Sequence, residues 1–273
     1  MDDRMGDNVN GPSLIRAPDW VTEPLGRYYL YFGHHQGKYI RLAFAESLEG
    51  PWRIHGPGAL DLSDSFFDAH IASPDVHVID ESREIRMYYH GAERADPSQQ
   101  TTRLAISHDG INFTARPEIL GSSYWRAFRF RGYWYTLEMP GTFRRSVTGV
   151  SDFEEGPRLF TPDMRHSAVR LNGDTLTVFY SNAGDCPERI LVTTIDLDDD
   201  WLKWRTAPPE TLLAPETEYE GADRPLEPSE RGLATNRVHQ LRDPCIFEEG
   251  GKTYILYSVA GESGIAIGEL IES

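Results

Sequence analysis

The stretch Ala43–Trp52 (AFAESLEGPW) joins an alternating apolar run to a small residue, a serine and a Gly-Pro turn. Variants of the same phrase return four more times along the chain, at Ala105–Gly110, Gly149–Pro157, Thr194–Asp198 and Ala266–Glu269. The copies lie roughly 40–50 residues apart, and β-strand units at that spacing are typical of propeller blades. The repeat therefore predicts an all-β, five-bladed β-propeller, in which each blade contributes a residue to a central funnel.

Hairpin signals divide each repeat into short strands. The pairs Asn172-Gly173 and Gly250-Gly251 separate alternating apolar runs, as two-residue hairpin turns do. No segment longer than about ten residues shows the apolar period of a helix. The last repeat ends soon after its third strand, so we expect residues 9–15 to supply its outer strand and close the ring.

Composition narrows the classes of function. The 273 residues are 39% hydrophobic and 11% aromatic, which fits a single propeller domain spanning residues 1–273. Acidic side chains outnumber basic ones 43 to 27, and the formal net charge is −16. A nucleic-acid partner and an anionic membrane surface are both disfavoured, because each requires a field of the opposite sign.

The chain also lacks the signals of a membrane or secreted protein. No apolar stretch reaches the roughly 18 residues of a membrane span, and Met1–Asp7 is acidic rather than apolar. The two cysteines, Cys186 and Cys245, make neither a disulfide framework nor a zinc-type spacing. We therefore expect a cytoplasmic protein with no metal and no other cofactor.

One segment interrupts the repeat. Residues 207–240, between the fourth and fifth units, carry five prolines and six glutamates. Loops of this length in compact domains are usually lids or binding loops. Two interpretations remain open, a lid over the funnel and a disordered acidic excursion.

Two blade openings carry a resemblance to a known family. Arg242-Asp243-Pro244 and Ser73-Pro74-Asp75, together with the Ser-x-Asp/Leu-x-Gly turns, resemble the five-bladed β-propeller glycoside hydrolases. These include the arabinanase and β-xylosidase group of family 43, the invertase and levansucrase group, and the neoagarobiose hydrolase group. The resemblance covers most of the chain as architecture. It implies a carbohydrate substrate and catalytic acids at the inner ends of the first strands, around the funnel.

Counting back from the second strands gives candidate catalytic residues. Three second-strand tyrosines each follow a polar residue by 14 positions, and these polar residues are Asp75, His166 and Asp243. Asp19 takes the same place in the first unit, with a connection two residues shorter, and the third unit offers Trp125 or Arg126. A charged residue at the opening of a strand does not contribute to the apolar face of the sheet, which favours a role in a functional site. The candidate catalytic residues are Asp19, Asp75, His166 and Asp243.

Glycoside hydrolysis uses two carboxyl groups, one as acid and one as base or nucleophile. The resemblance implies that Asp19 is the base or nucleophile, because the first-blade aspartate has that role in the family. The family's acid is usually a glutamate in a later blade, and none of the five openings carries one. His166 is one candidate for the acid, since a histidine is proposed in that role in the neoagarobiose hydrolase group and its ordinary pKa is near 6.5. Glutamates outside the openings could also serve, and these are Glu138, Glu216, Glu218 and Glu220.

Further side chains flank these positions and are candidates for substrate binding. Four arginines flank the candidate positions at the strand openings. We expect them either to keep the aspartates ionised or to bind an anionic group of the substrate. Two tryptophans offer faces for stacking on sugar rings, although most propeller aromatics pack between blades. Two histidines have three possible roles: they line the funnel, they hold a central metal through water, or they only hydrogen-bond to loops. The full set is Arg16, Arg126, Arg165, Arg242, Trp20, Trp125, His70 and His239.

Three functions remain open from the sequence. The first is a glycosidase acting on a small oligosaccharide or glycoside. The second is a glycoside phosphorylase, which needs one acid and uses inorganic phosphate in place of water. The third is a sugar-binding propeller without catalysis. A protein-interaction scaffold is disfavoured by the number of ionisable residues at the strand openings.

Overall fold

The computed structural model describes residues 6–35 and 37–271, and this part of the chain is almost entirely β-structure. It contains twenty strands and three short 3₁₀ helices, and the described residues form no α-helix. The strands form five antiparallel sheets in chain order, which confirms the predicted all-β, five-bladed β-propeller. Met1–Met5, part of the acidic N-terminal segment, lies outside the described residues.

The chain divides into two compact units. Unit 1 comprises residues 11–123 together with residues 6–7, and it holds the first two sheets. Unit 2 comprises residues 124–271 together with residues 8–10, and it holds the last three sheets. Each unit has a buried apolar core of its own.

Unit 1 contains sheet 1 and sheet 2. Sheet 1 is a four-stranded meander, with strands β1 (Asn10–Arg16), β2 (Tyr28–Gly33), β3 (Tyr39–Ala45) and β4 (Arg53–Asp61). In sheet 2 the short strands β8 and β9 both pair with β7, and its strands are β5 (His70–Ile79), β6 (Glu84–Glu93), β7 (Asp96–Ser107), β8 (Thr114–Ala115) and β9 (Gly121–Ser122). Residues from both sheets, including Ile40 and Met87, form one buried cluster.

Unit 2 contains sheets 3, 4 and 5. Sheet 3 has strands β10 (Arg126–Phe130), β11 (Tyr133–Glu138), β12 (Thr142–Ser146) and β13 (Glu154–Arg158). Sheet 4 has strands β14 (Met164–Asn172), β15 (Thr175–Asn182), β16 (Ile190–Asp196) and β17 (Glu210–Leu213). Sheet 5 has strands β18 (Arg242–Glu249), β19 (Lys252–Val259) and β20 (Gly264–Leu270). Trp204, almost fully buried, packs edge-on against Phe143 in the core of this unit.

The predicted role of residues 9–15 is wrong. Strand β1 pairs with β2 as the first strand of sheet 1, and Ile15 joins the apolar core there. Sheet 5 has three strands within the described residues. Val9 bonds to this last sheet region through its N–H, which donates to the Glu262 carbonyl at 2.8 Å. The burial of the side chains of β1 in unit 1 decides its partner.

A left-handed turn recurs at the start of the first strands. In sheets 2, 4 and 5 the pairing shifts register between Ala72 and Asp75, between Met164 and Ser167, and between Arg242 and Cys245. Positive φ, between 44° and 58°, occurs at Ser73 and Asp243 and also at Gly11 and Tyr124, near the start of the first strands of sheets 1 and 3, whereas Arg165 in sheet 4 does not have it. An extra residue in one strand bends that strand and re-aims its side chains. We call this feature the first-strand turn, and its residues are Gly11, Ser73, Tyr124, Arg165 and Asp243.

The segment 207–240 is folded against the rest of unit 2. Its 3₁₀ helix, Glu218–Glu220, begins with a capping box in which Thr217 and Glu220 bond reciprocally. One Glu220 carboxylate oxygen accepts the Thr217 and Glu216 amides at 3.0 Å, and the other accepts the Tyr257 hydroxyl at 2.9 Å. These bonds lower the pKa of Glu220 despite the opposing effect of burial. The interpretation as a disordered excursion is therefore wrong, and the role as a lid stays a prediction.

Candidate functional site

Unit 2 buries an imidazole against a carboxylate at two first-strand turns. Nδ1 of His166, on β14, lies 2.9 Å from Oδ1 of Asp243, on β18. The other Asp243 oxygen accepts the Ser258 hydroxyl at 3.1 Å. The Tyr124 ring covers the imidazole, with ring centroids 4.7 Å apart. The exposed fraction is 0% for Asp243 and 2% for His166, so the pair is held in a fixed arrangement out of solvent.

The charge states of the pair follow from their surroundings. Burial raises the pKa of Asp243, but His166, Arg165 and Arg242 together outweigh it and hold that pKa below its usual range. Burial is the largest effect on His166, and it lowers the pKa of the imidazole against the attraction of Asp243. At neutral pH the pair is thus a carboxylate beside a neutral imidazole.

Two buried arginines beside the pair are themselves matched by carboxylates. Glu188 lies 3.5 Å from Arg165 and 3.3 Å from Arg242, measured between guanidinium nitrogen and carboxylate oxygen. Glu262 lies 3.2 Å from Arg242, and the Ser181 hydroxyl donates to Glu188 at 2.7 Å. Buried ions are tolerated when paired and hydrogen-bonded, and here every one has an opposite charge in contact. Neither arginine therefore has an uncompensated charge to offer an anionic ligand.

The folded 207–240 segment forms a cavity that reaches Arg242. Its volume is about 420 Å³, and its wall is built mainly by residues 224–240. Arginine, histidine, asparagine and glutamine side chains alternate with proline, alanine and valine around it. The polar lining includes Arg224, Glu227, Asn236, Arg237, His239 and Gln240. Both hydrogen-bond donors and acceptors therefore surround a space of small-ligand size.

The first-strand turns of unit 1 carry no ionisable side chain. They hold Gly11 and Ser73, each followed by proline. A Cβ on Gly11 would lie 2.6 Å from the Ser73 Cα, so a side chain at position 11 has no room. The structure thus places the acidic residues of this unit elsewhere.

The predicted position of Asp19 is wrong. We expected Asp19 at the opening of the first strand, but β1 spans Asn10–Arg16 and Asp19 follows its far end. There it pairs with Arg16 at 3.3 Å, and its side chain is 93% exposed. Trp20 beside it donates its indole N–H to Asp80, in the turn after β5, at 2.9 Å. The two sequence candidates Arg16 and Trp20 therefore belong to the strand-end turns of unit 1.

Asp75 also lies out of register with Asp243. The turn between β5 and β6 (residues 80–83) is two residues longer than the turn between β18 and β19 (residues 250–251). Counting 14 residues back from Tyr89 therefore reaches Asp75, which corresponds to Cys245. The equivalent of Asp243 in sheet 2 is Ser73, two residues before Asp75. Asp75 itself contacts Nε2 of His77 at 2.8 Å.

His70 lies at the start of β5, near a second histidine of unit 1. Its ring centroid is 6.2 Å from that of His90. Burial, with smaller effects from His35 and Lys38, lowers the pKa of His70 to about 4. This imidazole is therefore neutral at physiological pH.

The two candidate residues of sheet 3 are buried and bind to other protein groups. Trp125 is buried, packs on Phe153 at 4.7 Å and donates its indole N–H to Glu138 at 3.1 Å. Glu138 also accepts from Arg144 at 2.9 Å. Arg126 is buried and donates to the Ser167 carbonyl at 2.7 Å, which ties β10 to β14. The stacking face of Trp125 is thus covered by protein.

The remaining candidates lie in the 207–240 segment. His239 lines the cavity and its Nδ1 lies 3.2 Å from the Arg224 carbonyl. Glu220 is engaged by the capping box, and Glu216 and Glu218 belong to the same turn. Sequence reasoning missed Glu188 and Glu262, because nothing in the local sequence separates them from the other glutamates of this acidic chain.

Two further findings bear on possible ligands. Among the described residues, no group of three or more His, Cys, Asp or Glu side chains is arranged to hold a metal ion. The described chain also has no helix of the length and apolarity that crossing a membrane requires. Cys186 is exposed and Cys245 is buried.

Solved structures share this fold at low sequence identity. A family 43 β-xylosidase/α-arabinofuranosidase from a compost microbial metagenome matches with a TM-score of 0.67 and 15% identity, over 97% of this chain and 92% of that one. The family 43 enzyme of Xanthomonas citri gives 0.68 and 14%, over 97% and 88%. A family 32 β-fructofuranosidase of Bombyx mori gives 0.63 and 15%, over 96% of this chain and 60% of that one. The resemblance to the glycoside hydrolase propellers is thereby confirmed for the fold.

A relative of higher sequence identity comes from a virus. No protein-family model matches the chain. The chain is 37% identical to "Uncharacterized protein R118" of Acanthamoeba polyphaga mimivirus over 293 residues, which covers 95% of this chain and 82% of that protein. Identity of this level over nearly the whole length shows common descent, and this chain belongs to the same protein family as the mimivirus protein R118.

Proposed function

We propose that this chain is a glycoside hydrolase for a small oligosaccharide or glycoside, with His166 and Asp243 at its catalytic centre. The observation that carries the proposal is the buried 2.9 Å contact between the two side chains at first-strand turns of unit 2. The left-handed conformations of Tyr124 and Asp243 beside it support the proposal, because backbone strain of this kind collects at functional sites. The fold shared with xylosidases and fructofuranosidases supports a carbohydrate substrate.

The pair is suited to general base catalysis. Asp243 is ionised and faces Nδ1 of His166, so Nδ1 carries the proton and Nε2 is the basic nitrogen. A neutral imidazole held this way takes a proton from water, and the neighbouring carboxylate stabilises the imidazolium that forms. In this scheme His166 acts as base, whereas the sequence favoured it as acid.

Asp243 orients His166 and does not attack the sugar. One of its oxygens faces the imidazole and the other accepts from Ser258, and the side chain has no exposed surface. A nucleophilic carboxylate needs an oxygen available to the anomeric carbon, and here one oxygen faces the imidazole and the other accepts from Ser258. In the proposed hydrolysis, water loses a proton to Nε2 of His166 and bonds to the anomeric carbon while the bond to the leaving oxygen breaks. The imidazolium then gives up that proton, which passes through solvent to the leaving oxygen.

The cavity beside Arg242 supplies the proposed substrate site. Arg242 lines it and directly precedes Asp243 in the chain. A volume of about 420 Å³ fits one or two sugar rings, and the mixed donors and acceptors suit hydroxyl groups. The lining carries arginines and glutamates together, which fits a ligand without net charge.

One observation favours a second candidate, a sugar-binding propeller without turnover. Among the described first-strand turns, Asp243 is the single carboxylate, whereas glycoside hydrolysis uses two carboxyl groups. A phosphorylase needs only one acid, but the buried arginines near Asp243 are already matched by Glu188 and Glu262. Phosphate dependence is therefore one arm of the test.

The test measures turnover of aryl xylosides, arabinofuranosides, galactosides and fructofuranosides, with and without phosphate. We expect Asp243→Asn and His166→Gln each to lower kcat by about 10²–10⁴-fold, the usual contribution of a positioned base. Asp19→Asn is the matched control, and it keeps turnover within about twofold because Asp19 is exposed at the opposite strand end.

Each outcome decides between the candidates. Loss of turnover in Asp19→Asn but not in Asp243→Asn would return the assignment to the sequence prediction. Turnover only with phosphate would make the chain a phosphorylase. No turnover with any substrate, combined with saturable sugar binding in calorimetry, would establish the binding propeller.

A further inference from the structure

Phe66 is an exposed aromatic residue in a backbone conformation that aromatic residues avoid. Its φ is 60°, and its exposed fraction is 53%. For a bulky side chain this region of φ is a genuine outlier, favoured by glycine and tolerated by asparagine. The residue thus combines backbone strain with a ring that is only half covered.

The neighbours of Phe66 fix its direction. Ser65 is fully buried, donates its hydroxyl to the Leu62 carbonyl at 2.7 Å and accepts the Phe67 amide. The Tyr89 hydroxyl donates to the Ser65 carbonyl at 2.6 Å. Phe67 is buried against Tyr89, with ring centroids 5.9 Å apart. Because residues 65 and 67 both point inward, the ring of residue 66 is held outward.

Phe66 borders a cleft within unit 1. The cleft has a volume of about 520 Å³ and is lined by Ser63, Asp64, Phe66, Phe67, Phe113 and Thr114, with Ala115. Ser63 donates its hydroxyl to Asp61 at 3.0 Å, which leaves its oxygen lone pairs available at the cleft. An aromatic face therefore stands beside hydroxyl and carboxylate groups.

This combination suits a neutral sugar chain. A pyranose presents an apolar C–H face, which packs on an aromatic ring, and a rim of hydroxyl groups, which donate to carboxylates. The exposed Asp64 carboxylate and the net charge of −16 oppose an anionic ligand. Glycine or asparagine at residue 66 would adopt this backbone conformation with less strain, so the half-exposed ring points to a use for its uncovered face.

We propose that the Phe66 cleft is a second carbohydrate-binding site, which holds a neutral oligosaccharide by stacking on Phe66 and bonding to Asp64. It is separate from the His166–Asp243 centre, since all its residues lie in unit 1. The site anchors a longer chain and does not cleave it. The proposal stands on its own geometry and does not depend on turnover.

The experiment titrates xylohexaose, cellohexaose and laminarihexaose into ¹⁵N-labelled full-length protein and follows the amides of residues 63–67. We expect saturable shifts for at least one probe. Phe66→Asn should weaken that binding at least tenfold while the melting temperature stays level or rises, because asparagine accepts positive φ. Phe66→Tyr, which keeps an aromatic face, should retain binding. Ile119→Asn, at another exposed apolar residue of unit 1, should leave binding unchanged.

The same titration on Asp243→Asn separates this proposal from the proposed hydrolysis. Binding at residues 63–67 should persist in that variant whether or not the wild type turns over glycosides. The proposal is overturned if no probe shifts these amides at 10 mM, a concentration chosen as roughly tenfold above millimolar affinity. It is equally overturned if Phe66→Asn binds as tightly as the wild type.

Discussion

The first-strand turns of unit 1 hold Gly11 and Ser73, whereas those of unit 2 hold Tyr124, Arg165 and Asp243. The backbone device is shared, since glycine, serine, tyrosine and aspartate all adopt positive φ there. The side chains differ, because unit 1 holds two small residues in contact, whereas unit 2 has Tyr124 at one turn and paired charges at the other two. The fold therefore supplies the turn, and the side chain at the turn decides whether an ionisable group is available there.

The stability of unit 2 depends more strongly on single side chains at its first-strand turns than the stability of unit 1 does. Its turns depend on Glu188 and Glu262 to match Arg165 and Arg242 in a buried environment. Removing one member of such a network leaves an uncompensated charge, while removing an exposed partner costs little. The contrast between the units can therefore be tested by stability as well as by activity.

The largest effect is expected for Glu188→Gln. This change removes the carboxylate that faces both buried arginines, and we expect a loss of about 3–5 kcal/mol in the free energy of unfolding. Urea unfolding measures it. The matched control is Glu248→Gln, whose carboxylate pairs with Arg170 at 2.8 Å on the surface and should cost less than about 1 kcal/mol. Equal losses for the two variants would contradict the ranking.

An intermediate effect is expected for Gly11→Ala in unit 1. The new Cβ would lie 2.6 Å from the Ser73 Cα, in a backbone conformation with φ of 55°. Overpacking and left-handed strain together should cost about 2–4 kcal/mol. Gly132→Ala provides the control, because φ is 84° there and no atom lies within 4 Å of the added Cβ. Similar melting temperatures for the two variants would show that strain, not the contact with Ser73, sets the cost.

The smallest effect concerns the pH dependence of stability that the partly buried imidazole of His70 produces in unit 1. The pKa of His70 is about 4 in the folded protein, below its ordinary value near 6.5. The neutral ring therefore adds stability that is present above pH 6.5 and is lost as pH falls from 6.5 towards 4. Partial exposure and solvent screening reduce this to roughly 1 kcal/mol or less.

Thermal melting between pH 7 and pH 4 checks the His70 effect. His70→Gln should lose less stability on acidification than the wild type does. An NMR titration in which His70 gains its proton near pH 6.5 would contradict the expected shift.

The fold was predictable because its signal is repeated. Five copies of a strand-and-turn phrase, and hairpin pairs such as Asn172-Gly173, identify the sheets without any long-range information. The partner of β1 was not predictable in this way. The sequence of β1 (NGPSLIR) carries no pattern that names its partner strand, and only the packing of Ile15 in unit 1 decides it.

The site was predictable in part. Counting from tyrosines found His166 and Asp243, but it treated Asp75 as their equivalent and placed Asp19 at a strand opening. The turn between β5 and β6 is two residues longer than the turn between β18 and β19, and a fixed spacing does not detect this difference. Glu188 and Glu262 were missed for a different reason, since their role comes from contacts with residues distant in the chain.

The close approach of Gly11 to Ser73 restricts which residues position 11 can accept. An acidic side chain at position 11 would meet a backbone atom of Ser73, and trimming the serine would not remove that Cα. No single substitution at position 11 can therefore place a carboxylate at the first-strand turn of sheet 1 unless Ser73 moves. A mutant library designed to place a carboxylate at position 11 must also vary the length of the connection before β5. A different connection length would allow Ser73 to move away from position 11.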